Sequence, residues 1–328
     1  MNEGEVTKSH LLPSLATDNW HLTTTNQVVE ELVSYLKNPH WGRQQRWRKA
    51  IWRSMARVGL TGLHALPMNR RWVEIHRRRM PLRGLDPAMV GRKIVQVSDL
   101  HYSPVVWERY LVQFVNWMNE LEPDAVVVTG DLITGGYRYA DRIAQILARL
   151  KAPGGVICTF GNHDYSIYGK SFSAEGTRRA DHLERSLVRA GLIVLRNQVH
   201  YFCPNGAHTP VAIVGLDDEW SGSIDADAAF TGVDPNLPVV CLNHNPVNCN
   251  ELMRYPWQWM LSGHTHGRQV ASSALGRRFY PHRYRHFTHG YYSVNGRHLY
   301  VNRGLSYGQR VLDWCRPEVT VFRLEQAE

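Results

Sequence analysis

Paired cysteines are missing from this sequence. Its five, Cys158, Cys203, Cys241, Cys249 and Cys315, are odd in number, scattered and without a C-x-x-C pair. That excludes a disulfide framework and points to a reducing compartment. No apolar run approaches the roughly 18 residues of a membrane-spanning helix. Residues 1–40 are polar, slightly acidic and without an apolar core of signal-peptide length, so the expected location is cytoplasmic. Internal repeats and low-complexity segments are absent as well. Acidic residues are scarce in one place. Between His40 and Arg92, thirteen Lys and Arg stand against two acidic residues, a local charge of +11 in a chain of +9 overall, which leaves the remainder near −2. The basic character is therefore local.

What is present divides the 328 residues into a polar tail at 1–40, a basic segment at 41–70 and a large domain at 71–328. In the basic segment Trp47, Ile51, Met55 and Val58 recur at helical spacing, and Trp52, Leu63 and Leu66 widen that face. Arg43, Arg46, Arg53 and Arg57 fall opposite. Such a helix either lies on an anionic membrane surface, its apolar stripe at the headgroup boundary, or packs on the core of its own protein. Nucleic acid is the less favoured partner, because the aromatics lie away from most of the arginines. The expected attachment is peripheral, on the inner face of a membrane.

Beyond Trp72 the pattern alternates. Strands are expected at Trp72 to Arg79, Ile94 to Ser98, Ala125 to Thr129 and Val156 to Phe160, with helices near Glu108 to Leu121, Tyr139 to Leu150 and Ala174 to Ala190. After Gly191 the chain becomes strand-rich: Val211 to Gly215, Val239 to Leu242, Trp259 to Leu261, Leu299 to Val301 and Val319 to Leu324. Alternating units followed by strands predict two mixed sheets packed face to face with helices outside, a layered α/β sandwich.

Five of these segments end in polar residues. Asp99-Leu100-His101, Gly130-Asp131, Gly161-Asn162-His163-Asp164, Asn243-His244 and Gly263-His264-Thr265-His266 each follow an apolar run, and an open α/β sheet builds its site at such strand ends. Asp99, His101, Asp131, Asn162, His244, His264 and His266 mix hard oxygens with imidazoles, a set suited to two adjacent divalent transition metals. The Asn162 amide can bind without adding charge, and Asp131 can bridge two ions. A hydroxide bridging them on the other side is the nucleophile of hydrolytic phosphate chemistry.

The order, residue types and spacing of these motifs resemble the calcineurin-like metallophosphoesterases over Lys93 to about Gln269. VEIHRRRMPLRGL, VGLDD, LYVNRGL and RPEVTVFRL resemble a bacterial cell-envelope branch that includes enzymes similar to the UDP-2,3-diacylglucosamine pyrophosphatases of lipid A synthesis. The resemblance implies a four-layer αββα sandwich. It puts Asp99, His101 and His266 on one metal and Asn162, His244 and His264 on the other, with Asp131 bridging. The metals it implies are two divalent ions, manganese first, with iron or zinc as alternatives. It makes His163 the catalytic non-ligand that meets the phosphoryl oxygen or leaving group, oriented by Asp164. The family commonly has glycine where this chain has Arg268, whose guanidinium either binds an extra phosphate or points to solvent.

Three residues are candidates for substrate binding: Arg268, Arg303 and Asp218. Arg303 can hold a phosphate or sit in a structural ion pair; Asp217 and Asp218 either reach the site or are solvated. Tyr137, Tyr165 and Tyr168 can contact a base or acyl chain, or pack locally. The basic, aromatic stretch from Arg277 to His289 is expected as a wall or lid, with His282, His286 and His289 as recognition or surface residues. The resulting expectation is a two-metal phosphohydrolase acting by metal-activated hydroxide on a phosphoester or nucleotide-linked lipid, UDP-2,3-diacylglucosamine cleaved to UMP and lipid sugar phosphate being one such reaction. A general or cell-wall phosphodiesterase, a metal-dependent nuclease and an inactive binding scaffold of the same fold are the alternatives.

Overall fold

The computed structural model describes residues 6–7, 73–104, 106–167, 172–268, 286–305 and 316–327. The basic helix expected at 41–70, Tyr168, His282 and most of the Arg277 to His289 stretch lie outside them. Two residues of the expected polar tail form β1 (Val6–Thr7), paired with β2 (Glu74–Leu82). The chain continues through β3 (Lys93–Val97), α1 (Glu108–Glu120), β4 (Ala125–Thr129), α2 (Ala140–Leu147), β5 (Val156–Thr159), α3 (Ala174–Arg189) and β6 (Ile193–Val194). It then runs through β7 (Gln198–Phe202), β8 (Val211–Gly215), α4 (Ala226–Phe230), β9 (Val239–Leu242), β10 (Trp259–Ser262), β11 (Gly290–Val294), β12 (Arg297–Val301) and β13 (Glu318–Gln326).

These strands make two mixed sheets. The first has the order β1-β2-β13-β3-β4-β5-β6 and the second β11-β12-β10-β9-β8-β7. Between them lies an apolar layer that includes Ile94, Val127 and Ile157 from one sheet and Val240, Leu242 and Leu261 from the other. The apolar stripe of α1, Leu111, Phe114, Val115 and Met118, packs against the outer residues Val95, Val97, Val126 and Val128. Burying each such large side chain is worth about 1.5–3 kcal/mol. On the far face of the second sheet, Val214, Cys241 and Met260 are covered by Phe230 of α4 and by Leu252 and Trp257. Helix, sheet, sheet and a thin outer layer of one short helix and 3-10 turns give the expected α/β sandwich.

Parallel pairing positions the site. β3, β4 and β5 run parallel, as do β8, β9, β10 and β12. The loops that follow β3, β4, β5, β9 and β10 are the ones that carry the polar motifs. No described helix is long and apolar enough to cross a membrane. Cys158, Cys203, Cys241 and Cys249 are free thiols.

A candidate binuclear metal centre

Three of the five candidate ligand loops, those after β3, β4 and β10, bend sharply off their strands. Asp99, His101, Asp131, His264 and His266 all have positive φ, between 47° and 71°. Aspartate and histidine tolerate that region better than most residues, although each instance costs on the order of 1–3 kcal/mol. The bend folds the side chains back over the strand ends. Backbone bonds lace the loops together: Asp99 N to Gly130 O at 3.0 Å, His101 N to Asp131 O at 2.9 Å and Gly263 N to His244 O at 2.9 Å. Glycine is required where ligands crowd the backbone. A Cβ at Gly161 would stand 2.6 Å from His244 Nε2 and collide with Asp131 Oδ1, and one at Gly263 would collide with Ser98 Oγ and Asp99 Oδ2.

Two clusters result, with Asp131 in both. Donor atoms of Asp99, His101, Asp131 and His266 lie within 4.8 Å of one another, as do those of Asp131, His244 and His264. Asp131 Oδ2 is 3.4 Å from His101 Nε2 and 3.2 Å from His244 Nε2. His266 Nε2 is 3.3 Å from Asp99 Oδ1, and His264 Nδ1 is 3.2 Å from His244 Nε2.

The residues present fit a pair of divalent cations. The Asn162 Nδ2 donates to Ile167 O at 2.6 Å, while its buried Oδ1 has no hydrogen-bond partner, the state expected of an oxygen reserved for a cation. His244 donates Nδ1–H to Thr129 O at 2.7 Å, which leaves Nε2 to face Asp131, the usual support of a ligating imidazole. Burial holds His101 and His264 well below the ordinary histidine range, helped by neighbouring imidazoles, the direction that favours the neutral form ligation requires. Burial also pulls His244 down, but the Asp131 carboxylate outweighs it and raises the group to about 10.

The remaining expected residues divide. His163 lies beside the first cluster, its ring edge-on to His101 at 4.5 Å between centroids and its backbone N–H donating to Asp131 Oδ1 at 2.9 Å. Asp164, expected to orient that ring, also bonds two backbone amides. Its buried oxygens accept from Ile133 N at 3.1 Å and Gly161 N at 3.0 Å, so it ties the Asp131 loop to the Asn162 loop. Of the two alternatives for Arg303, the ion pair is the one formed: Nε meets Glu318 Oε2 at 2.7 Å, and Glu74 binds Nη2. Asp217 and Asp218 are buried instead of solvated. Tyr165 packs locally, its hydroxyl bonded to Asp217 at 2.7 Å, and Tyr137 bonds Glu175 at 3.1 Å. Arg268 ends the 3-10 turn His266–Arg268, and its side chain lies outside the described region.

Two residues near the centre went unpredicted. Trp220 stands edge-on to His264, 4.7 Å between centroids. Gly304, at φ +80°, lets the backbone pass so close to Asp99 that a Cβ there would lie 2.6 Å from the Asp99 Cβ. The available signal for it was Asn-x-Gly after a strand: Asn302 Oδ1 accepts from Gly304 N at 2.7 Å.

Comparison with known proteins agrees with this geometry. Residues 92–268 match the family model described as calcineurin-like phosphoesterase. An uncharacterized metallophosphoesterase of Bacillus subtilis, YkuE, is 32% identical, covering 72% of this chain and 79% of its own. The phosphodiesterase YaeI of Escherichia coli is 31% identical, over 77% and 88%. The UDP-2,3-diacylglucosamine pyrophosphatase LpxG of Chlamydia trachomatis is 28% identical, over 71% and 83%. With its family match, its two sheets and its paired ligand clusters, the chain belongs to the calcineurin-like phosphoesterases and is a metal-dependent phosphoester hydrolase.

Proposed function

We propose that the protein hydrolyses the pyrophosphate or phosphodiester bond of a nucleotide-linked lipid at the inner face of a membrane, with an acylated UDP-sugar as the favoured substrate. The observation that carries the reading is the pair of ligand clusters sharing Asp131. Asp99, His101 and His266 would hold one cation and Asn162, His244 and His264 the other. Bound there, two divalent ions, manganese foremost, would supply Lewis acidity toward phosphoryl oxygens and lower the pKa of water. His163, beside His101, is placed to give a proton to the leaving oxygen or to stabilise charge on the phosphoryl group. The substrate class draws on the LpxG relatives, at 28% and 30% identity, and on the basic, tryptophan-bearing sequence at 41–70.

The test is release of UMP from UDP-2,3-diacylglucosamine by purified, manganese-loaded protein, beside His163→Ala and a small chromogenic phosphodiester. His163-dependent UMP release is the expected result. Cleavage of the chromogenic ester alone would overturn the substrate and leave a general phosphodiesterase, the reading favoured by the name of the E. coli relative. No hydrolysis of either would favour a binding scaffold.

A further inference from the structure

The loop after β8 carries two adjacent aspartates that are buried but treated differently. Asp217 is saturated. The Tyr165 hydroxyl reaches both its oxygens, Arg196 Nε donates to Oδ2 at 2.8 Å and Asp218 N donates to Oδ1 at 2.8 Å. Arg196 is in turn held by Asp181 and Glu184 of α3, so Asp217 anchors the loop. Asp218 is 1% exposed, and its Oδ2 accepts from Ser221 N at 2.6 Å. Its Oδ1 is also buried and has no partner. A buried carboxylate oxygen left bare costs several kcal/mol on the order of magnitude of charge desolvation, so an acceptor site kept in that state implies a donor or cation that arrives later.

Its neighbours indicate where that donor arrives. Leu216 N bonds Leu242 O at 2.9 Å, which lays the start of this loop alongside the end of β9 just before His244. Asn245 donates to Glu219 at 3.2 Å, and Trp220 stands against His264. The charges that act on Asp218 include those of His244 and Asp131 in the centre and of the adjacent Asp217. The loop is therefore a wall of the Asn162, His244 and His264 subsite. Asp218 is not part of the tight Asp131, His244 and His264 cluster, so it stands one layer outside the ligands.

We propose that Asp218 is a positioning carboxylate of the second-cation subsite, its bare Oδ1 accepting a hydrogen bond from water or a substrate hydroxyl held at that cation. The proposal rests on the two-cation reading above and adds an outer oxygen to one of the two positions only. It makes the centre asymmetric: the subsite of Asp99, His101 and His266 has no such residue assigned.

The test is a manganese titration by calorimetry of the full-length, cation-free protein, with cobalt absorption as a second readout, for wild type, Asp218→Asn and Asp218→Ala. In Asp218→Asn the Ser221 N–H fixes the amide oxygen at the Oδ2 position. The amide NH2 then takes the place of the bare Oδ1, a donor where the proposal puts an acceptor. The expected result is about 10–100-fold weaker binding of the second cation, a changed cobalt spectrum only for the second equivalent, and an unchanged first cation. Asp218→Ala should weaken the same cation without reversing the polarity, and so by less. Equal titrations for wild type and Asp218→Asn would overturn the proposal. So would matched weakening of both cations with a lower melting temperature of the cation-free protein, the signature of a residue that only holds its turn. No substrate is involved: a wild type that binds two cations but hydrolyses nothing defeats the hydrolase reading alone, and an active enzyme with unaltered Asp218→Asn titrations defeats this one alone.

Discussion

The two sheets contribute unequally to the centre. From the first come Asp99, His101, Asp131 and Asn162, three oxygen donors and one imidazole; from the second come His244, His264 and His266, imidazoles only. All the formal negative charge of the ligand set thus comes from one sheet, while the other supplies neutral nitrogen. Two carboxylates against two dications leave an excess of positive charge, which phosphate oxygens would neutralise. Each cation of the proposed centre would draw on both sheets, and neither sheet would hold a site alone. The polar lacing follows the same seam: His264 N donates to Asp99 at 3.1 Å and Gln96 Nε2 to Ser262 O at 3.0 Å, whereas deeper between the sheets the contact is apolar.

That division can be broken at its shared member. Asp131→Asn should leave no measurable turnover and remove one cation per chain, counted by elemental analysis; two cations retained would mean that Asp131 is not shared. His163→Ala removes no ligand and should lower kcat by about 10²–10⁴-fold with metal content near wild type. If metal falls in step with activity, His163 is a ligand and the first sheet supplies a second imidazole. Arg303→Met should destabilise the fold by about 3–5 kcal/mol, the cost of orphaning a buried partner, here Glu318 and Glu74, with KM for a phosphodiester unchanged in folded protein. A raised KM at constant stability would restore the phosphate-binding role. Chelation should also destabilise the fold: removing manganese held at 100 times its Kd withdraws about 2.7 kcal/mol per site, visible as a lower melting temperature. An unaltered melt would show that the seam between the sheets does not depend on the cations.

Legibility in the sequence followed burial. β3, β4, β5, β9 and β10 are almost wholly buried, and buried parallel strands read as continuous apolar runs; their ends were placed within about one residue of those observed. β7 and β11 were missed. Both are edge strands of the second sheet with exposed positions and polar or aromatic residues, QVHYF and GYYSV, so no apolar run announced them. The candidate ligand motifs were legible because each follows such a strand. The ion pairs of Arg303 and the burial of Asp217 and Asp218 were not, because they depend on partners chosen by tertiary structure. One carboxylate holding Arg303, Glu74, lies 229 residues away in the chain, and no local pattern distinguishes the saturated Asp217 from the bare Asp218.

One feature of the first sheet bears on the order of synthesis. β13, from the far end of the described chain, lies between β2 and β3, parallel to the one and antiparallel to the other. A nascent chain has therefore made β2 and β3 long before the strand that joins them exists. Until Glu318 to Gln326 leaves the ribosome, two strand edges stand open to wrong partners. Closure of this gap, and with it burial of Glu318 against Arg303, also fixes Gly304 under Asp99. Assembly of the catalytic pocket thus waits on β13, made after every other described strand.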